Sequence, residues 1–421
     1  MLSSLALRKL KDKLGSLRPL AIFSIKAGLV ARKAFFRVVC FFPVLRLRLR
    51  LPSGRWIPVA ECAQINPGDS CRFLDQPLNV TRKIPQTNAP ENEWWYEQNR
   101  QTSVDGTLVV SLKNGRALGH CGGQFLNSRD DMVNDISTEH WLYFGNFFVD
   151  TRVWLPEPKT YSGRVAVLAD RFARDNFSHW VFDVLPKIGL LERTVGLATI
   201  DHFLVGHSDR PYQWDTLERL GVPRAKVISF TPSSCVRAEE LIVPICARFN
   251  SQSHQASSLR FLRENFLLQP CANPNRRLFL SRSDASFRNL LQEKEICQHL
   301  GRKGFEVVTL AGVSLEKTAE LFASAEVVVG PFGSGLMNVC FCPPGALLID
   351  IATPEFYNAH HWYLAEESGM EYACYFGSNR AFRRNRALSS ATADISVNVP
   401  DCLAFIDARI TAWESSRQAR L

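Results

Sequence analysis

A histidine and a carboxylate four residues apart are the first pair in this chain able to move a proton. In Asn176-Phe-Ser-His-Trp-Val-Phe-Asp183, followed by Pro186-Lys187, a helix sets Asn176, His179 and Asp183 along one face. An imidazole oriented by a carboxylate is a usable general base. A core histidine packed beside Trp180 satisfies the same pattern. A second segment, Leu280-Ser-Arg-Ser-Asp-Ala-Ser-Phe-Arg288, puts two arginines and several hydroxyls at the end of a strand. Arg282 and Arg288 could clamp a pyrophosphate bidentately without a metal ion, although either arginine alone reads as a solvated loop. The third segment is Val327-Val-Val-Gly-Pro-Phe-Gly-Ser-Gly-Leu-Met-Asn338. Its glycines, Gly330, Gly333 and Gly335, expose backbone N–H groups, and a helix starting near Ser334 adds positive potential, which suits a phosphate. It matches neither G-x-G-x-x-G nor the Walker pattern. Nor is it G-x-S-x-G, because Phe332 stands where the first Gly is required. An ordinary tight strand-to-helix turn explains the spacing as well.

The elements that must position these groups are legible from about Val165 onward. Val165–Leu168, His202–Gly206, Val227–Phe230 and Leu241–Pro244 read as strands; Asn176–Glu192 and Tyr212–Leu220 read as helices. A helix over Ser251–Phe266 leads into a linker, Gln269–Asn275. The alternation then restarts: strand Arg277–Leu280, helix Leu290–Arg302, strand Phe305–Leu310, a helix capped by Ser314, strand Glu326–Gly330, the glycine turn, and strand Leu347–Ile351. Strand–helix alternation predicts an α/β fold with parallel sheets. Residues 51–160 show strand-like pieces such as Thr107–Leu112 and an aromatic cluster, Trp94, Trp95 and Tyr96, that reads as packing.

Of 50 Lys and Arg and 41 Asp and Glu, twelve bases and a single acid, Asp12, fall within residues 1–50, giving that tail +11 and leaving the rest of the chain at −2. The body is nearly neutral, which argues against a nucleic-acid-binding enzyme; the tail suits an anionic membrane surface or another acidic partner. Its uncharged runs are too short for a span, and no signal peptide is evident. Leu7, Leu10, Leu14 and Leu17 recur at helical steps between lysines, as in a surface-lying amphipathic helix, and a helix packed on the body or a frayed tail fits the pattern equally. The twelve cysteines contain no Cys-x-x-Cys, so a zinc site is not expected and a reducing compartment is.

Taken together and in order, the three segments resemble family 61 glycosyltransferases. The matching pieces are Asn176–Trp180 with Leu185-Pro186; Ser281-Arg282-Ser283-Asp284 with Arg288 and Glu293; Gly330 to Asn338; Phe341-Cys-Pro-Pro-Gly345; and Asp350. Phe332 departs from the His of that family's G-P-H-G loop. The resemblance implies a GT-B-like fold of two Rossmann-like domains facing a cleft. It implies inverting, metal-independent transfer from a nucleotide sugar, often UDP-linked. The relatives build protein-linked glycans, plant xylans or bacterial surface polysaccharides, and this chain is closest in character to the bacterial capsular type.

The expected organisation is a basic tail over 1–50, a β-rich extension over 51–160, an acceptor-side domain over 161–270, a donor domain over 271–375 and a helical tail over 376–421. His179 and Asp183 are the expected catalytic pair. Arg282, Arg288, Gly333, Ser334, Gly335, Asn338, Asp350 and Glu355 are the expected donor-side residues, with Asn176, Lys187 and Glu293 in support. No cofactor beyond the nucleotide sugar, no metal and no nucleic acid are expected. The acceptor would be a glycan or a lipid-linked sugar, and the location cytoplasmic, at the inner face of the membrane. A non-catalytic scaffolding protein is the competing expectation, motivated by Phe332; a dinucleotide enzyme is a third, opposed by the missing glycine fingerprint.

Overall fold

The computed structural model describes residues 31–32, 34–119, 123–137, 153–170, 172–246, 252–378 and 392–419. The Leu7–Leu17 stripe lies outside them. The chain is α/β and divides into two compact units, one made of residues 1–76 and 106–249, the other of 77–105 and 250–421. Residues 51–160 are therefore shared between the units. Among the described residues no helix is long and apolar enough to cross a membrane.

The first unit is built on a ten-stranded sheet. Its parallel part runs Cys235–Ile245, Lys159–Leu168, His202–Val205, Val227–Ser229. Thr107–Lys113 and Arg116–Leu118 pair antiparallel with Cys235–Ile245 on the other side. The strands alternate with helices Leu185–Thr194 and Pro211–Arg219. Val165, Val167, Leu204, Leu241 and Val243 share one core with Val110 and Leu112. Two expected strands prove longer, because the flanking polar stretches Lys159–Arg164 and Cys235–Glu240 pair with each other and carry the ladder outward.

The second unit is built on a six-stranded, wholly parallel sheet in the order Phe305–Val308, Arg276–Leu280, Ala325–Pro331, Leu347–Ala352, Glu371–Phe376, Gln86–Thr87, with Leu78–Thr81 and Gln101–Val104 paired antiparallel as a separate two-stranded sheet. All six residues of Leu347–Ala352 are buried, as a strand covered on both faces requires. Gln86–Thr87 comes from far upstream and closes one edge. Of the aromatic cluster expected to pack, Trp95 and Tyr96 do so here, while Trp94 is 59% exposed: Tyr96 is fully buried, meets Trp362 edge-on at 5.1 Å, and its Oη lies 3.1 Å from Tyr357 Oη. Ser314 caps Leu315–Ala323, its Oγ accepting from Lys317 N at 3.4 Å. The last helix, Val399–Gln418, starts on an Asn398 cap and a first-turn proline. It lays Cys402, Ile406, Ile410 and Trp413 onto the sheet.

Candidate functional site

In the first unit the chemistry begins where the strand Lys159–Leu168 ends. This strand lies between Cys235–Ile245 and His202–Val205, so chain order reverses beside it. The carboxyl ends of strands at such a reversal form the usual ligand crevice of an open parallel sheet. Asn176 caps the next helix, its Oδ1 accepting from Ser178 N at 3.0 Å and His179 N at 3.4 Å. One helical turn, Phe177–His179, passes into a π-helical turn, Trp180–Val184, and then into Leu185–Thr194. Pro186 has no N–H to donate and sits in the first turn after the widening, where none is needed. The expected helix exists, with a π turn of the kind that recurs at functional sites.

That backbone brings His179 Nδ1 within 2.6 Å of Asp183 Oδ2. An ionised carboxylate can only accept, so the shared proton belongs on Nδ1 and Nε2 is left basic. Trp180 is fully buried and donates from Nε1 to Thr216 Oγ1 at 2.9 Å. His179 itself keeps a side-chain exposure of 22%, which leaves it reachable, unlike its core neighbour.

A residue absent from the expectations completes the group. Asp170 Oδ1 lies 3.5 Å from the same Nδ1. Burial pushes its carboxyl up, repulsion from Asp183 adds to this, and His179 and Lys187 pull the other way. Lys187 donates from Nζ to Ala169 O at 2.5 Å. The signal that could have found Asp170 is its place just past a buried strand. Asp170, His179 and Asp183 each bring one ligand atom within 4.8 Å of the others, a spacing that could also hold a cation.

In the second unit the reversal falls between Arg276–Leu280 and Ala325–Pro331. Arg282 follows the first of these strands and Gly333 the second, so the two sequence segments meet at one crevice. Arg282 Nη2 donates to Phe287 O at 2.9 Å and Nε to Arg288 O at 3.2 Å. Gly333 is extended, at φ 177°, and its requirement for glycine is steric: a Cβ there would lie 1.9 Å from Arg282 Nη1. Arg288 adopts φ 58°, a left-handed backbone that a non-glycine residue seldom takes. Its guanidinium lies 5.1 Å from the centre of the Phe356 ring. Burial lowers the pKa of both arginines. Arg288 falls to about 10, burial being the larger cause and the Arg282 charge the second. Two partly desolvated cations that repel each other are stabilised by an anion with more than one oxygen, which a diphosphate supplies.

The remaining expected residues support this crevice from behind. Glu293 Oε1 accepts from Ser281 Oγ at 2.5 Å and holds the strand end. The 3-10 helix Ser334–Phe341 starts at the predicted place. A Cβ on Gly335 would press on Leu280 Cδ2 at 2.9 Å. Asn338, buried, donates from Nδ2 to Gly335 O at 2.8 Å, so it shapes the loop. Asp350 is fully buried; its Oδ2 takes His361 Nδ1 at 2.7 Å and Tyr372 Oη at 3.2 Å. Burial and these partners make Asp350 a support for the sheet end, with no exposed face to offer a donor. Glu355 is exposed in the turn closed by Phe356 N and Thr353 O. Phe332 is only 5% exposed, with its ring centre 4.4 Å from His361 and 5.8 Å from Phe356. It is a wall of the crevice, held by an aromatic group that the loop sequence alone does not reveal.

Residues 177–349 match the family model described as Glycosyltransferase 61. The protein is a glycosyltransferase. The matched stretch carries His179, Asp183, Arg282, Arg288 and the Gly333 loop of the transferase and stops one residue short of Asp350. Asp170 lies upstream of it. No curated protein matches the chain.

Proposed function

We propose that this glycosyltransferase moves a sugar, with inversion and without a metal ion, from a nucleotide sugar to a glycan or lipid-linked acceptor in bacterial capsular or surface polysaccharide synthesis. A UDP-sugar is the first donor to test. The observation that carries the reading is Arg282 packed against Gly333 with the partly desolvated Arg288 beside it, at the reversal point of a wholly parallel sheet.

The acceptor hydroxyl attacks the anomeric carbon. A carbon–oxygen bond forms on one face as the bond to the diphosphate breaks on the other. His179 Nε2 takes the hydroxyl proton, and Asp183 holds the imidazolium that results. The departing charge falls on the diphosphate oxygens, where Arg282, Arg288 and the Gly333–Gly335 amides stabilise it. The proposed fold is GT-B-like, with the base contributed by the first unit and the donor-side residues by the second. The setting is the cytoplasm, with residues 1–50 carrying the protein to the anionic inner face of a membrane.

Calorimetry with UDP, GDP, CMP and NAD, and with Arg282→Ala as control, tests the donor half. Binding of one nucleoside phosphate, weakened by the substitution, supports the assignment and names the donor class. Equal binding by both proteins, or by neither, refutes it.

A further inference from the structure

A face outside the catalytic site presents large apolar side chains to solvent. Residues 34–40 are helical and lead into the short helix Pro43–Arg48. One side of this segment is anchored: Phe36 and Val39 are buried with Leu51, Leu118 and Leu126, and Cys40 and Leu49 pack against them. The other side is bare. Phe41 is 84% exposed, Val44 71%, Leu47 60%, Phe42 58% and Val38 56%. Trp154, 62% exposed, precedes Leu155, whose N donates to Leu49 O at 3.0 Å and ties its segment to the end of this helix.

Isolated exposed apolar residues need no explanation, but a contiguous group of this size marks a contact surface. Charge identifies the contact. Residues 31–50 contain six Lys or Arg and no acid. Arg37 and Arg48 are exposed and Arg46 half-buried among these apolar groups. Aromatic and aliphatic side chains ringed by arginines match the headgroup region of an anionic bilayer, where aromatic rings sit at the interface and guanidiniums meet lipid phosphates.

We infer that Val38, Phe41, Phe42, Val44, Leu47 and Trp154, with Arg37, Arg46 and Arg48, form a docking face that seats the protein on an anionic lipid surface. This deepens the membrane partner proposed above and rests on that reading. It relocates the contact from the Leu7–Leu17 stripe to a face braced by the core of the first unit, so that docking would fix an orientation as well as a location.

The test is flotation of the full chain with phosphatidylcholine vesicles, with and without 30% phosphatidylglycerol. Three proteins are compared: wild type, Phe41→Ser with Val44→Ser, and Arg46→Gln with Arg48→Gln. Phe41, Val44 and Arg48 are exposed and Arg46 is half-buried, so an unchanged melting temperature, with UDP binding retained, confirms that each variant is folded. The expected result is binding to anionic vesicles only, roughly 30-fold weaker for the arginine variant, at about fivefold per charge, and lost for the apolar variant. If the wild type binds and both variants bind equally well, this face is refuted while the membrane reading stands. If the wild type ignores anionic vesicles, both fail. A wild-type dimer in sedimentation that the Phe41→Ser, Val44→Ser variant dissociates assigns the face to a second copy of the chain and overturns the inference.

Discussion

Replacing Gly333 with alanine should separate donor binding from folding. The added Cβ would sit 1.9 Å from Arg282 Nη1 and 2.7 Å from Cζ. Those atoms are the far end of a flexible side chain, and the backbone at position 333 is extended, a conformation alanine adopts freely. The fold therefore survives and the guanidinium moves. Moving it breaks the bonds from Arg282 to Phe287 O and Arg288 O, at 2.9 and 3.2 Å. It also removes one prong of the diphosphate clamp. A hydrogen bond involving a charged group contributes about 1.5–3 kcal/mol, so UDP affinity should fall by roughly 10- to 150-fold. Titration calorimetry on wild type and Gly333→Ala measures this, with a thermal melt confirming that the variant is folded. Wild-type affinity in a folded variant would refute the steric argument, because Arg282 would then have a productive position away from the glycine. A variant that does not fold would refute the claim that the clash is absorbed by one side chain.

Three further outcomes follow from the same geometry. His179→Ala should lower kcat about 10²- to 10⁴-fold, the range a positioned base supplies, while leaving the Kd for UDP unchanged; loss of UDP binding would sink the assigned role. Asp350→Ala should destabilise the protein by about 3 kcal/mol, since it strands the buried His361 imidazole and takes one of two partners from Tyr372, which keeps Tyr357; an unchanged melting temperature with weakened donor binding would instead make Asp350 a donor ligand. The third concerns pH. Arg288 titrates near 10 in the folded protein against a usual value above 12. Its folded-state pKa is lowered, so in the window between those values the unfolded chain binds more protons and stability from this group rises with pH. Binding an anion needs the charged form, so UDP affinity should hold from neutral pH and fall as pH rises through about 10. A flat affinity across that range in the folded protein would exclude Arg288 from the clamp.

The buried parallel strands and their helices were legible because each carries an uninterrupted apolar run or a helical period; Leu347–Ala352 and Leu315–Ala323 fall within a residue or so of expectation. That Arg282 and the glycine loop meet was legible because both follow buried strands, and the structure makes those strands neighbours. What the pattern could not reveal depends on contacts distant in sequence. Asp170 is an unremarked acid until the strand end is placed beside His179. Asp350 looks available as an acid after a strand, and only His361, eleven residues on, shows that it is taken. The edge strand Gln86–Thr87 is two residues long, too short for any period to mark.

That edge strand has a consequence for synthesis. Residues 77–105 are made early, yet their partners are made late. Gln86 and Thr87 pair with Ala373 and Cys374, Asn88 bonds the backbone of Phe376 from both ends of its amide, and Arg82 meets Glu367 at 2.7 Å. While the ribosome adds the nearly three hundred residues between them, this segment has no native place. Its apolar cargo, Tyr96 above all, stays uncovered for the tens of seconds that translation takes. A chaperone that holds this one stretch until Phe376 has been made would raise the yield of folded enzyme.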